Sequence, residues 1–369
     1  MPRLRTVVIG VGAGVFSLHR PVLAASVELE LVGVADVNAE PGASRAAELG
    51  CAFYTDHRVM LAETRPELAV ILTPHPFHAA VALDCFAAGC HVLVEKPMAV
   101  QVAEADAMIE AGRRANRLLA VNFQQRHRAD VRAALGLIQA GRLGHLQRVE
   151  LVAMWTRTAS YYAMGAWRGT WAGEGGGILM NQAPHHLDLL CYLVGAPSRV
   201  VGWTRTLLHD IETEDTALGL VEWPSGAVGT VHVSTAEAGE PERIQITGTR
   251  GSLSIGRDGL TFREADTDLR TFIAENSNPY GHLELREMPV ELEAGGADHA
   301  AVYRNVLAAI CKGEALLTDG VSGRQSLELA NALIYSGHTH TPVELPLDRV
   351  AYARVLGQLQ SGSRRVLTG

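Results

Sequence analysis

The chain has 369 residues, 47% of them hydrophobic and 20% charged, and a net charge of −8. That length is too great for one hydrophobic core and suits two domains, and the composition excludes a disordered chain. The acidic balance, without any basic run, argues against nucleic acid or an anionic membrane as principal partner, and no apolar run approaches the ~20 residues of a membrane span.

Leu4 to Ile9 is a short apolar run, β-branched at its end, and reads as a buried strand. Gly10-Val11-Gly12-Ala13-Gly14-Val15 follows, and then a helical stretch through Ala25. Leu29 to Ala35 is a second strand and ends in Asp36. Strand, glycine turn, helix, strand and acid is the pattern that binds a dinucleotide. Gly10 permits the tight turn, and Gly12 lets the backbone approach a pyrophosphate. The helix N-terminus offers that anion free N–H groups and a partial positive charge. Asp36 is placed to accept hydrogen bonds from ribose hydroxyls. It would repel a 2′-phosphate, and Val37 and Asn38 bring no cation, so NAD is expected over NADP. The third glycine of the fingerprint would fall at position 15, where this chain has Val15; Gly14 comes one residue early.

The alternation continues. Ala46–Leu49 ends a helix, Cys51–Tyr54 is a short strand, and Leu68–Leu72 is an apolar strand closing in Thr73-Pro74-His75. Pro76–Ala88 reads as a helix with Gly89 at its cap. His91 to Val94 is a strand that stops abruptly in Glu95-Lys96-Pro97, followed by a helix over Val102–Ala115 and a strand over Leu118–Val121. Strands alternating with helices predict a doubly wound parallel sheet, an α/β Rossmann domain over residues 1–123. Thr73, Pro74 and His75 at one strand end, and Glu95 and Lys96 at another, lie on the rim where such sheets bind ligands. The Lys96-Pro97 bond can make a tight turn that aims the lysine.

From residue 124 to 369 the pattern changes. A helix over Ala129–Ala140 precedes strand-like runs at Leu146–Trp155, Arg199–Arg205, Thr216–Glu222, Val228–Thr235, Arg243–Thr247 and Ser252–Ile255. Helices are expected around His185–Leu193, Ala300–Cys311 and Ser322–Tyr335. Consecutive strands without intervening helices predict an α+β domain with a large, mostly antiparallel open sheet. Its uncovered face would serve as an oligomer interface. Between the first two strands lies Gly175-Gly176-Gly177-Ile178-Leu179-Met180-Asn181-Gln182-Ala183-Pro184-His185-His186-Leu187-Asp188. Asn181, His185 and Asp188 are spaced by four and three and would share one helix face, although Pro184 allows this only near a helix start. His185 is the candidate acid/base, since imidazole titrates near neutral pH. Asp188 would orient it or cap backbone, and His186 would be structural or touch substrate. Trp155, Arg157, Tyr161, Tyr162, Trp167 and Arg168 are candidates for a sugar-binding wall of aromatic faces and guanidinium donors.

Cys51, Cys85, Cys90, Cys191 and Cys311 are scattered and form no CxxC pair. Neither a disulfide framework nor a zinc site is indicated, and no third ligand joins His185 and Asp188, so no metal is expected. With an apolar N-terminal stretch too short for a secretion signal, the expectation is a cytoplasmic protein.

These residues together resemble the glucose–fructose oxidoreductase, inositol dehydrogenase and MocA family. The match rests on Gly10-x-Gly12 with His19 and Pro21, Asp36, Thr73-Pro74 with His78, Ala88 through Pro97, Gly175-Gly176-Gly177 through His185 and Asp188, the late His299–Ala309 helix, and Leu345-Pro346-Leu347-Asp348. The resemblance implies an NAD-dependent oxidoreductase acting on a secondary alcohol of a sugar or cyclitol, as a homodimer or homotetramer. It makes Lys96 the catalytic lysine and His185 the catalytic histidine. It adds His78 to the cofactor side and His299 to the substrate side. Many members carry an aspartate where this chain has Asn181. An amide can orient a hydroxyl or an imidazole but cannot take a proton, which leaves the proton work to His185 and Lys96. Two rival readings are a redox-neutral, NAD-dependent glycosidase-like enzyme and a regulator that binds dinucleotide and sugar without turnover.

Overall fold

The structure is a computed structural model and describes residues 3–239, 242–293, 295–296 and 298–362. In chain order it forms β1 (Leu4–Ile9), α1 (Phe16–Ala25), β2 (Leu29–Ala35), α2 (Ala39–Leu49), β3 (Ala52–Tyr54), α3 (His57–Thr64), β4 (Leu68–Ile71), α4 (His78–Ala87), β5 (His91–Val94), α5 (Val102–Ala115) and β6 (Leu119–Val121). Then come α6 (Ala129–Gln139), β7 (Leu146–Met154), the one-turn helices α7 (Ala159–Tyr162), α8 (Trp171–Glu174) and α9 (Ile178–Asn181), and α10 (Pro184–Val194). β8 (Arg199–Arg205), β9 (Thr216–Glu222), β10 (Val228–Ser234), β11 (Arg243–Gly248), β12 (Gly251–Gly256), β13 (Gly259–Glu264), α11 (Leu269–Glu275), β14 (Arg286–Met288), α12 (His299–Lys312), α13 (Gly320–Thr339), β15 (Val343–Glu344) and α14 (Arg349–Ser361) complete it.

The chain divides into two compact units. The first comprises the described residues within 1–124, 172–175 and 297–327, and the second the other described residues. The first unit holds six parallel strands in the order β3-β2-β1-β4-β5-β6. Strand order reverses between β1 and β4, the place where a doubly wound sheet opens a crevice at its carboxyl edge. β4 is buried at every residue and β5 from Val92 to Val94, as expected of strands covered on both faces. Helix α3 is absent from the sequence reading. Its apolar residues Val59, Met60 and Leu61 are contiguous rather than periodic, and its cap is Asp56, which accepts the Arg58 N–H at 2.8 Å.

Helix α12 is the main surprise of this unit. By sequence it belongs after the domain boundary, among the elements of 124–369. In the structure its Val302, Tyr303, Val306 and Leu307 share one buried cluster with Leu4, Val8, Phe16, Leu23, Val70 and Leu93 of the parallel sheet and α1. Residues 318–319 then run along the β6 edge, where the Val121 N–H donates to the Thr318 carbonyl at 2.9 Å, and an edge strand is thereby covered.

The second unit carries nine strands in the order β14-β13-β12-β11-β7-β10-β9-β8-β15. Only β7 and β10 are parallel; the other pairs are antiparallel. One face is covered. Gly202 and Gly219 are cross-strand partners, and a Cβ on either would strike Leu333 of α13, so the glycine pair forms a notch that receives this helix. The other face leaves Trp203, Leu218, Leu220 and Val228 exposed. A buried ion pair anchors α10: Arg126 donates to Asp188 through Nε at 2.8 Å and Nη2 at 2.5 Å. Asp188 therefore serves Arg126 and not His185, contrary to the sequence expectation. Burial pushes its carboxyl above the ordinary value, against the pull of Arg126.

Because α12 completes the core of the first unit, its apolar face should be as costly to truncate as any strand residue. Leu307→Ala is expected to destabilise the protein by about 2–4 kcal/mol, measured as a lower denaturation midpoint at unchanged slope.

Candidate active site

The glycine turn after β1 is shaped by close approach. Gly10 has φ +95°, and a Cβ there would lie 2.6 Å from the Thr73 nitrogen at the end of β4, so only glycine fits. A Cβ on Gly12 would lie 2.9 Å from Asp36 Oδ2. The Asp36 carboxylate accepts the Gly12 N–H at 2.6 Å and the Asn38 N–H at 2.9 Å, which fixes the acid at the end of β2 with lone pairs to spare for hydroxyl donors. Gly14 has open space where a side chain would be. Val15, at the third-glycine position, precedes α1 and packs against the core cluster, so a side chain is accommodated there. Ala13 completes the turn, its N–H donating to the Gly10 carbonyl. The residues expected to hold a dinucleotide thus form a cradle that a Cβ would fill at two positions. Thr73 adds a buried hydroxyl that has no partner among the described residues.

The rim beyond the turn is tied together by histidines. His78 is fully buried, with Nδ1 2.8 Å from the Pro97 carbonyl and Nε2 2.7 Å from the Thr73 carbonyl. It joins the ends of β4 and β5, a positioning role in place of the cofactor contact expected of it. Pro74 starts the short 3₁₀ turn His75–Phe77. His75 Nδ1 lies 3.3 Å from the Glu174 carbonyl, and burial, with the charges of His78 and Lys96, pulls its imidazole down to about 3. Lys96 leaves the carboxyl end of β5 through a cis bond to Pro97. Glu95 beside it is buried and accepts hydrogen bonds from His19 Nε2 at 2.9 Å, from the Asn122 amide and from the Lys96 N–H at 3.1 Å. His299 Nε2 lies 3.7 Å from the same carboxylate. Burial raises the Glu95 pKa, but the His19 hydrogen bond and the nearby His299 imidazole outweigh it and hold the group well below the usual carboxylate value. Both Glu95 and His299, expected to touch cofactor and substrate, are therefore members of an internal network. His19, Glu95 and His299 bring three donor atoms within 4.8 Å of one another, and hydrogen bonding already accounts for that closeness.

In the second unit the glycine run is explained by one acid that carries no local sequence signal, Glu214. Glu214 is buried and accepts the Gly177 and Leu179 N–H groups at 2.9 and 3.2 Å, while a Cβ on Gly177 would overlap the Glu214 carbonyl. This pins the start of α9. Asn181 ends α9 and His185 lies in the first turn of α10, so the two are not on one unbroken helix. Pro184 has no N–H to give, and the Gln182 and Ala183 N–H groups both turn to the Ile178 carbonyl, at 3.2 and 2.9 Å. Backbone angles stay right-handed helical across the break, which preserves roughly the spacing expected of Asn181 and His185.

Tyr161 is the centre of the candidate substrate wall. Its hydroxyl donates to Asn181 Oδ1 at 3.3 Å and accepts from Arg168 Nη1 at 2.8 Å and Gln182 Nε2 at 3.0 Å. The guanidiniums of Arg157 and Arg168 lie 5.2 and 4.5 Å from its ring centre, and Arg168 is also 4.5 Å from Trp167, within cation–π range. Trp155 stands apart. Its indole N–H donates to Glu242 at 2.9 Å, its ring is 4.8 Å from His186, and His186 Nε2 is 3.2 Å from the same Glu242 carboxylate. The His186 hydrogen bond brings Glu242 down to about 2. Trp155 and His186 are thus a structural pair.

If Asp36 reads the ribose, Asp36→Ala should weaken NADH binding about tenfold and narrow its margin over NADPH, since the lost group both accepts hydroxyl hydrogens and repels a phosphate. Titration of reduced-nicotinamide fluorescence measures both affinities.

Known proteins match this architecture. Residues 4–123 match the oxidoreductase family with an NAD-binding Rossmann fold, and residues 131–254 match the GFO/IDH/MocA C-terminal domain. The 1,5-anhydro-D-fructose reductase of Ensifer adhaerens is 28% identical over 70% of this chain and 78% of its own length. The levoglucosan dehydrogenase of Pseudarthrobacter phenanthrenivorans is 25% identical over 85% of this chain and 89% of its own. The crystal structure of the WlbA dehydrogenase from Bordetella pertussis, in complex with NADH and UDP-GlcNAcA, superposes with a TM-score of 0.80 at 29% identity, covering 94% of this chain and all of that one. With the parallel sheet, the glycine turn and Asp36 in place, the chain belongs to the GFO/IDH/MocA family of NAD-dependent oxidoreductases.

Proposed function

We propose that the protein transfers a hydride between nicotinamide and a secondary alcohol or ketone of a sugar, sugar derivative or cyclitol, with Lys96, His185 and Asn181 as its catalytic set. The observation that carries this reading is the placing of Lys96: it leaves β5 at the carboxyl edge of the sheet, its main-chain N–H held by a buried carboxylate, on the same rim as the dinucleotide turn. When bound, NAD supplies the hydride acceptor. Lys96 donates a hydrogen bond and positive charge to the oxygen as it becomes an alkoxide. His185 takes the hydroxyl proton in oxidation and returns it in reduction. Asn181 orients its neighbours through the Tyr161 hydroxyl and carries no proton itself.

Within the sugar class, Arg157 favours an anionic substrate. Its guanidinium is bonded to the Trp155 and Thr156 carbonyls and lies over Tyr161, with no carboxylate partner among the described residues. A cation held on an aromatic face without a counter-ion suits a uronic acid or a nucleotide-sugar phosphate, and the WlbA dehydrogenase crystallised with UDP-GlcNAcA is consistent with this. The exposed apolar row of Trp203, Leu218, Leu220 and Val228 on the open sheet face supports a homo-oligomer, which sedimentation of the purified chain reads directly. Five free cysteines accord with the reducing cytoplasm.

The test is nicotinamide absorbance on mixing the protein and NAD with inositols, aldoses, anhydrosugars, glycosides and free and UDP-linked uronic acids. We expect reduction with one class, a loss of about a hundredfold or more in kcat for Lys96→Ala and for His185→Ala, and a KM for acidic sugars raised about tenfold in Arg157→Gln with neutral sugars little changed. Near-wild-type turnover in both catalytic variants would overturn the assignment. Glycoside cleavage without net reduction would replace it with the redox-neutral reading, and dinucleotide binding with no turnover in either direction with the regulator.

A further inference from the structure

The catalytic reading uses Lys96 but leaves unexplained a chain of polar groups buried beneath it. Tyr303 from α12 lies with its hydroxyl 2.9 Å from His19 Nδ1, and His19 Nε2 lies 2.9 Å from Glu95 Oε1. His19 is fully buried and Tyr303 is 1% exposed. Glu95 Oε2 accepts the Lys96 main-chain N–H at 3.1 Å. The chain therefore runs from the returning helix α12, through the helix that follows the glycine turn, to the backbone of the lysine. His299 packs edge-on against His19 at 4.6 Å between ring centres.

Donor counting gives this chain a direction. An ionised carboxylate only accepts, so His19 Nε2 carries a hydrogen and points it at Glu95. In the neutral imidazole Nδ1 then holds the lone pair, and the Tyr303 hydroxyl donates to it. The reverse tautomer would set a lone pair against the carboxylate. We propose that Tyr303, His19 and Glu95 form a positioning relay, in which the tyrosine fixes the tautomer of the histidine, the histidine fixes the carboxylate, and the carboxylate fixes the main chain of Lys96. The logic is that of a base held by an orienting partner, applied to a backbone. The groups facing Glu95 are His19 from α1, His299 and Tyr303 from α12, Asn122 after β6, and Lys96 on its own strand end, with His75 and His78 near by after β4. Among them Tyr303 and His19 make their hydrogen bonds to each other and to Glu95, which makes them positioning residues. This inference rests on Lys96 being catalytic.

Two measurements test it. The first is the nitrogen-15 spectrum of histidine-labelled protein, with His19 assigned from its loss in His19→Gln. We expect the Nε2–H tautomer in the wild type and a mixture of forms in Tyr303→Phe, a variant that keeps the ring packing. A His19 found with hydrogen on Nδ1 in the wild type overturns the relay, whatever Lys96 does. The second is steady-state kinetics on the panel sugar that turns over fastest. Tyr303→Phe should lower kcat about tenfold and Glu95→Gln about a hundredfold, with KM and the NADH dissociation constant within twofold of wild type. The double variant should fall no further than Glu95→Gln alone, since the members act as one unit. Unchanged kcat in Tyr303→Phe, in a protein where Lys96→Ala is inactive, refutes the relay and spares the catalytic reading. Full activity in Lys96→Ala refutes that reading and removes the relay's purpose with it.

Discussion

The close approach of β1 and β4 at their carboxyl ends governs this protein. Gly10 passes so near the Thr73 nitrogen that no Cβ can be placed between them. That contact lies where the order of the parallel strands reverses, and it places the following turn at the crevice. Everything on the rim is set from there. His78 ties the β4 turn to the β5 turn through two carbonyls, so the position of Lys96 is tied to the same place.

Buried acids do the fixing in both units, each by a different means. Glu95 collects hydrogens from three elements of the first unit and holds a lysine backbone. Glu214 collects main-chain hydrogens at the start of α9 and holds the turn that leads to Asn181 and His185. Asp188 pairs with Arg126 and holds α10. A carboxylate removed from water is costly unless its lone pairs are met. Each of these therefore has little freedom to move, and neither do the groups bonded to it. A site that must place a hydroxyl within about 3 Å of its proton carriers gains from such rigidity.

The substitution of Asn181 for a carboxylate is compensated locally. Its carbonyl oxygen accepts from Tyr161, whose hydroxyl in turn accepts from Arg168 and Gln182. The amide is thereby oriented without bearing charge, and a carboxylate there would face two cations on the same aromatic ring. An amide there cannot take a proton, and it adds no negative charge to the wall.

The sequence by itself determined the parts that depend on local chemistry. Apolar runs of strand length, the glycine turn with Asp36, and the abrupt end of β5 at Lys96 are written in neighbouring residues, and strand alternation in the second unit is a period of two that any single strand displays. Only the tertiary structure decided the rest. Nothing in the α12 sequence says which sheet it covers, because an amphipathic face fits any apolar surface; its partners come from β1, α1, β4 and β5, far earlier in the chain. Asp188 was assigned to His185 on helical spacing, but a buried acid goes to the strongest donor in reach, and Arg126 sits sixty-two residues away in sequence. Trp155 belongs with Glu242 and His186 for the same reason. Long-range polar pairing leaves no periodic trace, and so the residues that hold the catalytic candidates in place become visible only once the chain is folded.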